Sequence, residues 1–510
     1  MRIKPNNKDF NNFEEFNLLL DSIKKKKQRI VLCHGVFDLF HPGHLYHLQA
    51  AKKLGEILIV SLTTDRHVNK GPGRPLFNQE IRMDMLSNLE FVDYVILSDF
   101  SSAEQIINFI KPDFYVKGAD YLDQSKDVTN KIILEKSIVE SFGGVIKYTD
   151  ELSSSSSKLI NKFFNNLPYK SKDWLEFFKS TGGLELTENW LEKLSDLRVL
   201  ILGESIIDTY TTCSALAKTS KDPLLAFNIH ETRSYIGGVL AIADNCQAWT
   251  NKVTTITFSG LDDEIRKIIN IHQLKSADIV IVKCSDRPSI EKHRYIDVHS
   301  NTKVFESYKF ELTNLTEKDS DKIKAEIDNR LSQFDLVIVA DYGHGFFSSS
   351  IVESLTKSSA YLAVNTQSNA GNRGFNTISK YSRANMISLN GSEIQLEIRN
   401  LNPNYNVIVP ELLDKLNANL ALVTLGSEGL NIFSGDKNEL IPALATRIVD
   451  KVGGGDAVFA ISAMLSKIGA PISVIGFVSN IVAAHEISQI GHGNPMSLGD
   501  IKKHAKTLLA

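Results

Sequence analysis

His34-Gly35-Val36-Phe37-Asp38-Leu39-Phe40-His41-Pro42-Gly43-His44 stands at the end of the apolar run 29–34, RIVLCH. The run reads as a strand. Pro42 suits the first turn of a helix, where its missing N–H costs nothing. The helix then runs through LYHLQAAKKLG, with Gly55 as its stop. His41 and His44 are three residues apart, so they share one side of that first turn. Two imidazoles beside free backbone N–H groups at the positive end of a helix form a phosphate site, and Gly35 lets phosphate oxygens approach the backbone. Nucleotidyl transfer needs donors of this kind, aimed at charge developing on phosphorus, more than it needs a covalent nucleophile.

The same alternation extends outward. Runs at 29–34, 56–62, 91–97, 113–117 and 144–148 read as strands separated by helical patterns. After two short helical patterns around Trp174 and Trp190, strand-like runs resume at 197–203, 253–258, 278–283, 335–340, 361–365 and 420–424. This predicts two doubly wound α/β domains in series, with ligands beyond the carboxyl ends of the strands. The expected boundaries are 1–165 for the first domain, 166–195 for a helical linker and 196–510 for the second domain.

The bulk composition agrees. A chain of 510 residues with 43% apolar content predicts more than one buried core. A formal net charge of -3 gives no nucleic-acid footprint. Cys33, Cys213, Cys246 and Cys284 form no CxxC pair, so no zinc site or disulfide framework is expected. The first residues lack an apolar signal core, and no stretch reaches the ~18 apolar residues of a membrane span. A cytoplasmic protein without nucleic-acid or membrane partners is the expectation.

HGVFDLFHPGH resembles the signature of the cytidylyltransferase-like nucleotidyltransferases, and the likeness extends over roughly 29–162. Lys70-Gly71, Gly73-Arg74-Pro75, Arg82 and Lys117-Gly118-Ala119-Asp120-Tyr121 carry it further. The last piece resembles the adenylyltransferase half of bacterial bifunctional heptose-phosphate kinase/adenylyltransferases more than glycerol-phosphate cytidylyltransferases. The serine run 153–157 would read as a linker by composition. The resemblance instead makes Ser155, Ser156 and Ser157, before Lys158-Leu159-Ile160, a triphosphate clamp at a helix start. It also implies that His41 and His44 stabilise the transition state. Lys70 and Arg74 neutralise phosphates, Gly35, Phe37, Arg82, Gly118 and Asp120 border the nucleotide, and Asp38 orients the site or its Mg²⁺.

A second constellation lies near the C-terminus. Gly453-Gly454-Gly455-Asp456 opens an apolar helix, AVFAISAMLSKIG. Such glycines expose N–H groups that hold an anion, and an Asp there can accept a proton from an attacking hydroxyl. With GESIIDTY (203–210), Gly237-Gly238, RPSIEKHR (287–294), ADYGHG (340–345), LNGSE (389–393) and TLGSEG (424–429), it resembles the ribokinase-type, or PfkB, carbohydrate kinases over roughly 196–500. The resemblance makes Asp456 the base and Gly453, Gly454 and Gly455 the anion hole. It implies that Asp208, Gly237, Gly238, Lys292 and Arg294 hold the sugar. Asn390 and Glu393 act near Mg²⁺ and phosphate, and the loop from Gly426 to Gly429 borders ATP.

This part of the chain departs from the family pattern at several positions. Lys451 and Gly454 stand where the kinases have Thr and Ala, Ala241 replaces an asparagine after the double glycine, and Asn365-Thr366-Gln367 replaces Asp-Pro-Lys. Glu204 stands where an Asp is usual. Either the substrate differs or this half has lost catalysis.

Both resemblances point to the bifunctional heptose enzymes with their halves in reverse order: a Rossmann-like HxGH nucleotidyltransferase domain followed by a ribokinase-like domain. They imply an enzyme that makes an NDP-sugar, ADP- or CDP-linked, for surface polysaccharide. ATP, with CTP as the alternative, and Mg²⁺ held through phosphates are the cofactors implied, and a homodimer is the expected assembly. Two alternatives stay open: an active transferase with a silent kinase fold, and a CTP-dependent polyol-phosphate cytidylyltransferase.

Overall fold

A computed structural model of the protein describes residues 9–10, 13–68, 74–100, 102–118, 131–149, 167–219, 222, 224–272, 274, 278–300, 302–311, 313–435 and 437–509. The chain divides into two compact units, residues 1–166 with 502–510, and residues 167–501. Both are α/β, as the alternation predicts.

The first unit holds six strands: β1 (Asp9–Phe10), β2 (Ile30–Gly35), β3 (Ile57–Thr63), β4 (Tyr94–Ser98), β5 (Phe114–Gly118) and β6 (Val145–Thr149). They lie in the order β1-β4-β3-β2-β5-β6, and every pairing is parallel. Side chains alternate across the sheet. Ile30, Leu32, Ile57 and Ile59 pack on one face with the helices Phe13–Lys25, Ala103–Ile110 and Lys131–Ser141. Val31, Cys33, Leu58 and Val60 pack on the other with Pro42–Lys52 and Gln79–Ser87. The strand order reverses beside β2, so a crevice opens between the carboxyl ends of β2 and β5.

The second unit is built on nine strands: β7 (Val199–Gly203), β10 (Val253–Ser259), β11 (Asp278–Lys283), β14 (Leu336–Asp341), β15 (Tyr361–Thr366), β16 (Met386–Asn390), β17 (Leu420–Thr424), β18 (Leu430–Ser434) and β19 (Lys437–Ile441). Their order is β11-β10-β7-β14-β15-β16-β17-β18-β19, with every pairing parallel except β17–β18 and β18–β19, so that β18 alone runs against the others.

A separate four-stranded sheet was not foreseen from the sequence. It runs β13 (Lys303–Lys309), β12 (Ile290–Asp297), β8 (Ser205–Lys218), β9 (Leu225–Gly238). Its strand β13 is exposed along its whole length, and strands such as SIIDTYTTCSALAK mix apolar residues with Thr and Ser rather than forming the continuous apolar runs of the buried parallel strands.

The stretch expected as a connector forms the helices Tyr169–Ser180 and Gly183–Glu192 within this unit. Trp174 stacks on Phe178 at 4.9 Å and bonds Glu439 through its indole N–H at 3.0 Å, while Phe178 packs on Phe477 at 5.0 Å. Phe178 is 1% exposed. Phe178→Ala is therefore expected to destabilise the second unit by about 3–5 kcal/mol, the cost of emptying an aromatic core site. Urea unfolding followed by tryptophan fluorescence measures it, and a change under about 1 kcal/mol would mean that the helix is not docked there.

Candidate functional site

In the first unit, β2 delivers the chain through a short loop to the helix Pro42–Lys52. His41 is the N-cap of that helix, and its Nδ1 accepts the Gly43 N–H at 3.1 Å. That bond leaves the ring proton on Nε2, which makes Nε2 a donor. The His41 and His44 rings lie 4.1 Å apart, so the two imidazoles form one patch at the helix start. Phe37, expected at the nucleotide, is 7% exposed with a φ of 47°, and its ring stands edge-on to His44 at 5.3 Å. Its geometry holds His44 in place. Gly118 ends β5 across the crevice, and space around its Cα is open.

Asp38 and Arg82 serve the scaffold. The Asp38 carboxylate accepts from Arg74 at 2.8 Å, from the Leu76 N–H at 2.6 Å and from the Phe77 N–H at 3.3 Å. Arg74, expected to neutralise phosphate, thus has its charge answered by Asp38 in this structure. Arg82, expected beside the nucleotide, is 1% exposed. It donates to the carbonyls of Phe77 (2.9 Å), Val36 (2.6 Å) and Thr63 (3.0 Å) and to Asp65 (2.5 Å). It clamps the loops after β2 and β3 around the site. Lys70, Asp120, Ser155, Ser156 and Ser157 lie outside the described residues.

The structure adds groups that sequence reasoning missed. Lys117 pairs with Glu135 at 2.9 Å, and both side chains are buried. Tyr115 also donates to Glu135 at 3.2 Å. Burial, and then the Lys117 charge, push His34 down to about 3 and His47 down to about 4, so both are neutral. The signal for His47 was available: it follows His44 by three residues on the same helix.

In the second unit a cleft of about 690 Å³ gathers most of the residues read from the sequence. Asp208, Gly238, Lys292, Arg294, Asn390, Gly426, Gly453, Gly455 and Asp456 all line it. Tyr342, Gln367, Asn390 and Thr424 stand at or just past the carboxyl ends of β14, β15, β16 and β17. Gly454 lies beneath the cleft wall against Ile487, and Gly429 closes the 426–429 turn. Gly237 touches Asp208, since a Cβ there would come 2.1 Å from the carboxylate. Glu393 completes a capping box with Asn390, and burial raises its pKa to about 7.

Asp456 lies in the first turn of the helix Gly454–Lys467. Gly453 caps that helix at a φ of 84° with no side-chain acceptor, so the first N–H groups stay available to an anion. Burial raises the Asp456 pKa to about 6, against the opposing hydrogen bond from Tyr342 Oη at 2.9 Å. Such a carboxylate is ionised near neutrality yet basic enough to take a proton. Tyr342 was not foreseen, although it lies in the quoted ADYGHG. Its segment is held by Glu204, which is fully buried and accepts from the N–H groups of Tyr342 (3.1 Å), His344 (3.0 Å) and Phe346 (3.3 Å). Among the described residues no group of three or more His, Cys, Asp or Glu is placed to hold a metal. No helix among them is long and apolar enough to cross a membrane.

Residues 32–162 match the cytidylyltransferase-like family model. The bifunctional protein HldE of Syntrophotalea carbinolica is 33% identical over 146 residues, which are 28% of this chain and 28% of that protein. The bifunctional protein HldE of Pseudomonas syringae pv. syringae is 37% identical over 150 residues, 29% of this chain and 30% of that protein. The chain therefore spans under a third of the length of the curated relatives it matches. A solved phosphofructokinase-2 mutant from Escherichia coli covers 61% of this chain and 99% of its own length with a TM-score of 0.50 at 12% identity, a likeness of fold alone.

Tyr342→Phe removes the bond that lowers the Asp456 pKa, so the titration midpoint should move above about 6. Carboxyl-carbon NMR of labelled aspartate, assigned with Asp456→Asn, reads it directly. An unmoved midpoint would remove Tyr342 from control of this carboxylate. Residues 32–162 thus match a cytidylyltransferase-like model, and about three fifths of the chain shares its α/β fold with a solved phosphofructokinase-2.

Proposed function

We propose that the first unit transfers a nucleotidyl group from an NTP to a sugar 1-phosphate, giving an NDP-sugar and pyrophosphate. The second unit phosphorylates the precursor sugar or sugar phosphate with ATP. The observation that carries the first half is the His41–His44 pair at a helix start, with His41 Nε2 kept as a donor. The sugar-phosphate oxygen attacks the α-phosphorus, and His41 and His44 meet the charge that develops there. Lys70 and the serines 155–157 hold the departing pyrophosphate. In the second unit the residues lining the cleft fit a nucleotide and an acceptor, and Asp456 takes the hydroxyl proton while the 453–455 turn receives the phosphoryl oxygens. Mg²⁺, bound through phosphates, supplies charge neutralisation in both units. The enzyme works as a homodimer on small molecules, with the order of its halves reversed relative to the heptose enzymes it resembles.

A silent kinase fold is the second reading. Gln367 favours it, because it lines the cleft where the kinase pattern has a lysine. A CTP-dependent polyol-phosphate transferase is tested by the same assay. The full chain is given ATP or CTP with a panel of sugar and polyol 1-phosphates, and pyrophosphate and ADP are followed separately. His41→Ala or His44→Ala should lower pyrophosphate release at least ~10²-fold, the size of one lost transition-state donor. Asp456→Asn should abolish ADP release and leave pyrophosphate release intact. Pyrophosphate release within a few-fold of wild type in both histidine variants would remove them from the mechanism. Equal, slow ADP release from wild type and Asp456→Asn would establish the silent kinase.

A further inference from the structure

Two lysines line the cleft of the second unit without a carboxylate at close range among the described residues, Lys451 on its exposed rim and the less exposed Lys292. Lys292 lies on β12, beside Asp208 on β8. Both side chains face the cleft, as do Ile206 and Arg294 on alternate positions of the same two strands. The neighbouring cations are paired. Arg294 bonds Asp208 and reaches Glu306 at 3.2 Å. Lys303 bonds Asp450 at 2.8 Å. Lys292 has no hydrogen-bond or ion-pair partner among the described residues. Its ammonium stands 5.9 Å from the Tyr342 ring, whose hydroxyl donates to Asp456. Burial lowers its pKa, and the charges of Asp208, Asp456 and Glu204 act on it only from a distance.

A half-buried ammonium without a bonded partner is disfavoured, and a ligand anion is what would complete it. The location decides which anion. Gly453 and Gly455 line the same cleft at the start of the Asp456 helix, with their N–H side of that helix uncapped. An anion held there lies between the positive helix end and the strand that carries Lys292.

Resting on the kinase reading above, we propose that Lys292 is a catalytic residue that contacts the phosphoryl group in transfer. In that step the acceptor hydroxyl oxygen bonds the γ-phosphorus of ATP as the bond from that phosphorus to the β–γ bridging oxygen breaks. The bridging electron pair leaves with ADP, and the hydroxyl proton passes to Asp456. Lys292 exchanges no proton; its charge meets the phosphoryl oxygens on the side away from the helix.

The test uses the full chain and two probes, the magnesium complexes of β,γ-imido-ATP and of ADP, in equilibrium binding to wild type and Lys292→Met. Imido-ATP affinity should fall at least ~10-fold in the variant while ADP affinity stays within about two-fold, because only the former carries the group that Lys292 meets. An unchanged urea unfolding curve of the second unit, read by tryptophan fluorescence, shows that the variant is folded. If Lys292→Met loses ADP as well, Lys292→Gln repeats the comparison with the same criterion. Equal changes for the two nucleotides in both variants, or none, would overturn the inference. Wild type binding neither nucleotide would overturn the kinase reading itself, and the inference with it.

Discussion

The first turn of a helix carries backbone N–H groups that the helix cannot satisfy, and a parallel sheet repeats this situation at the carboxyl edge of its strands. Both candidate sites are answers to that constraint. In the first unit His41 supplies one acceptor from its own ring, and the same bond leaves the ring proton on its other nitrogen. In the second unit Gly453 supplies none, because its left-handed backbone ends the loop without a capping side chain. In the reactions proposed, one site meets phosphate with imidazole and the other with bare N–H groups. The α-phosphorus reaction keeps no base in the site; transfer of the terminal phosphoryl to a hydroxyl needs Asp456.

Around each helix start, buried charge holds the loops that would otherwise drift. Arg82 gathers three backbone carbonyls and Asp65, and Asp38 gathers Arg74 and two N–H groups. Leaving any of these groups unmatched would cost about 1–3 kcal/mol each, so the clamps specify loop geometry more than they add net stability. In the second unit Glu204 plays the same part for the segment that carries Tyr342. Burial and the nearby Asp341 raise its pKa to about 7, the electrostatic strain of placing two carboxylates behind the cleft.

The parallel strands and the two helix starts were legible in the sequence because buried parallel strands are continuous apolar runs and because proline or glycine marks where each helix begins. The four-stranded sheet was not, since its strands mix apolar with polar residues, and one of them, KVFESYK, is exposed along its whole length. Arg82 and Asp38 read as ligand contacts because a charged side chain near a motif looks the same whether it binds phosphate or a backbone carbonyl. What separates the two is burial, and burial of Arg82 depends on the 36 and 63 carbonyls, which any residue type supplies. Lys292 was read as a substrate contact. Only the pairing of Arg294 with Asp208 and of Lys303 with Asp450 reveals that Lys292 alone of these three cations keeps its charge unmatched.

One chain is proposed to handle two different phosphorus atoms of a nucleotide at two separate helix starts. The most direct measurement is label transfer by the intact protein, with ATP or CTP carrying ³²P at the α position in one reaction and ATP carrying it at the γ position in another, each with the sugar acceptors. The expected result is that α label enters a nucleotide-sugar and γ label enters a sugar phosphate, in products that can be lost independently through the first or the second unit. Label reaching acceptors from only one position, or both transfers failing together when either helix start is altered, would contradict it.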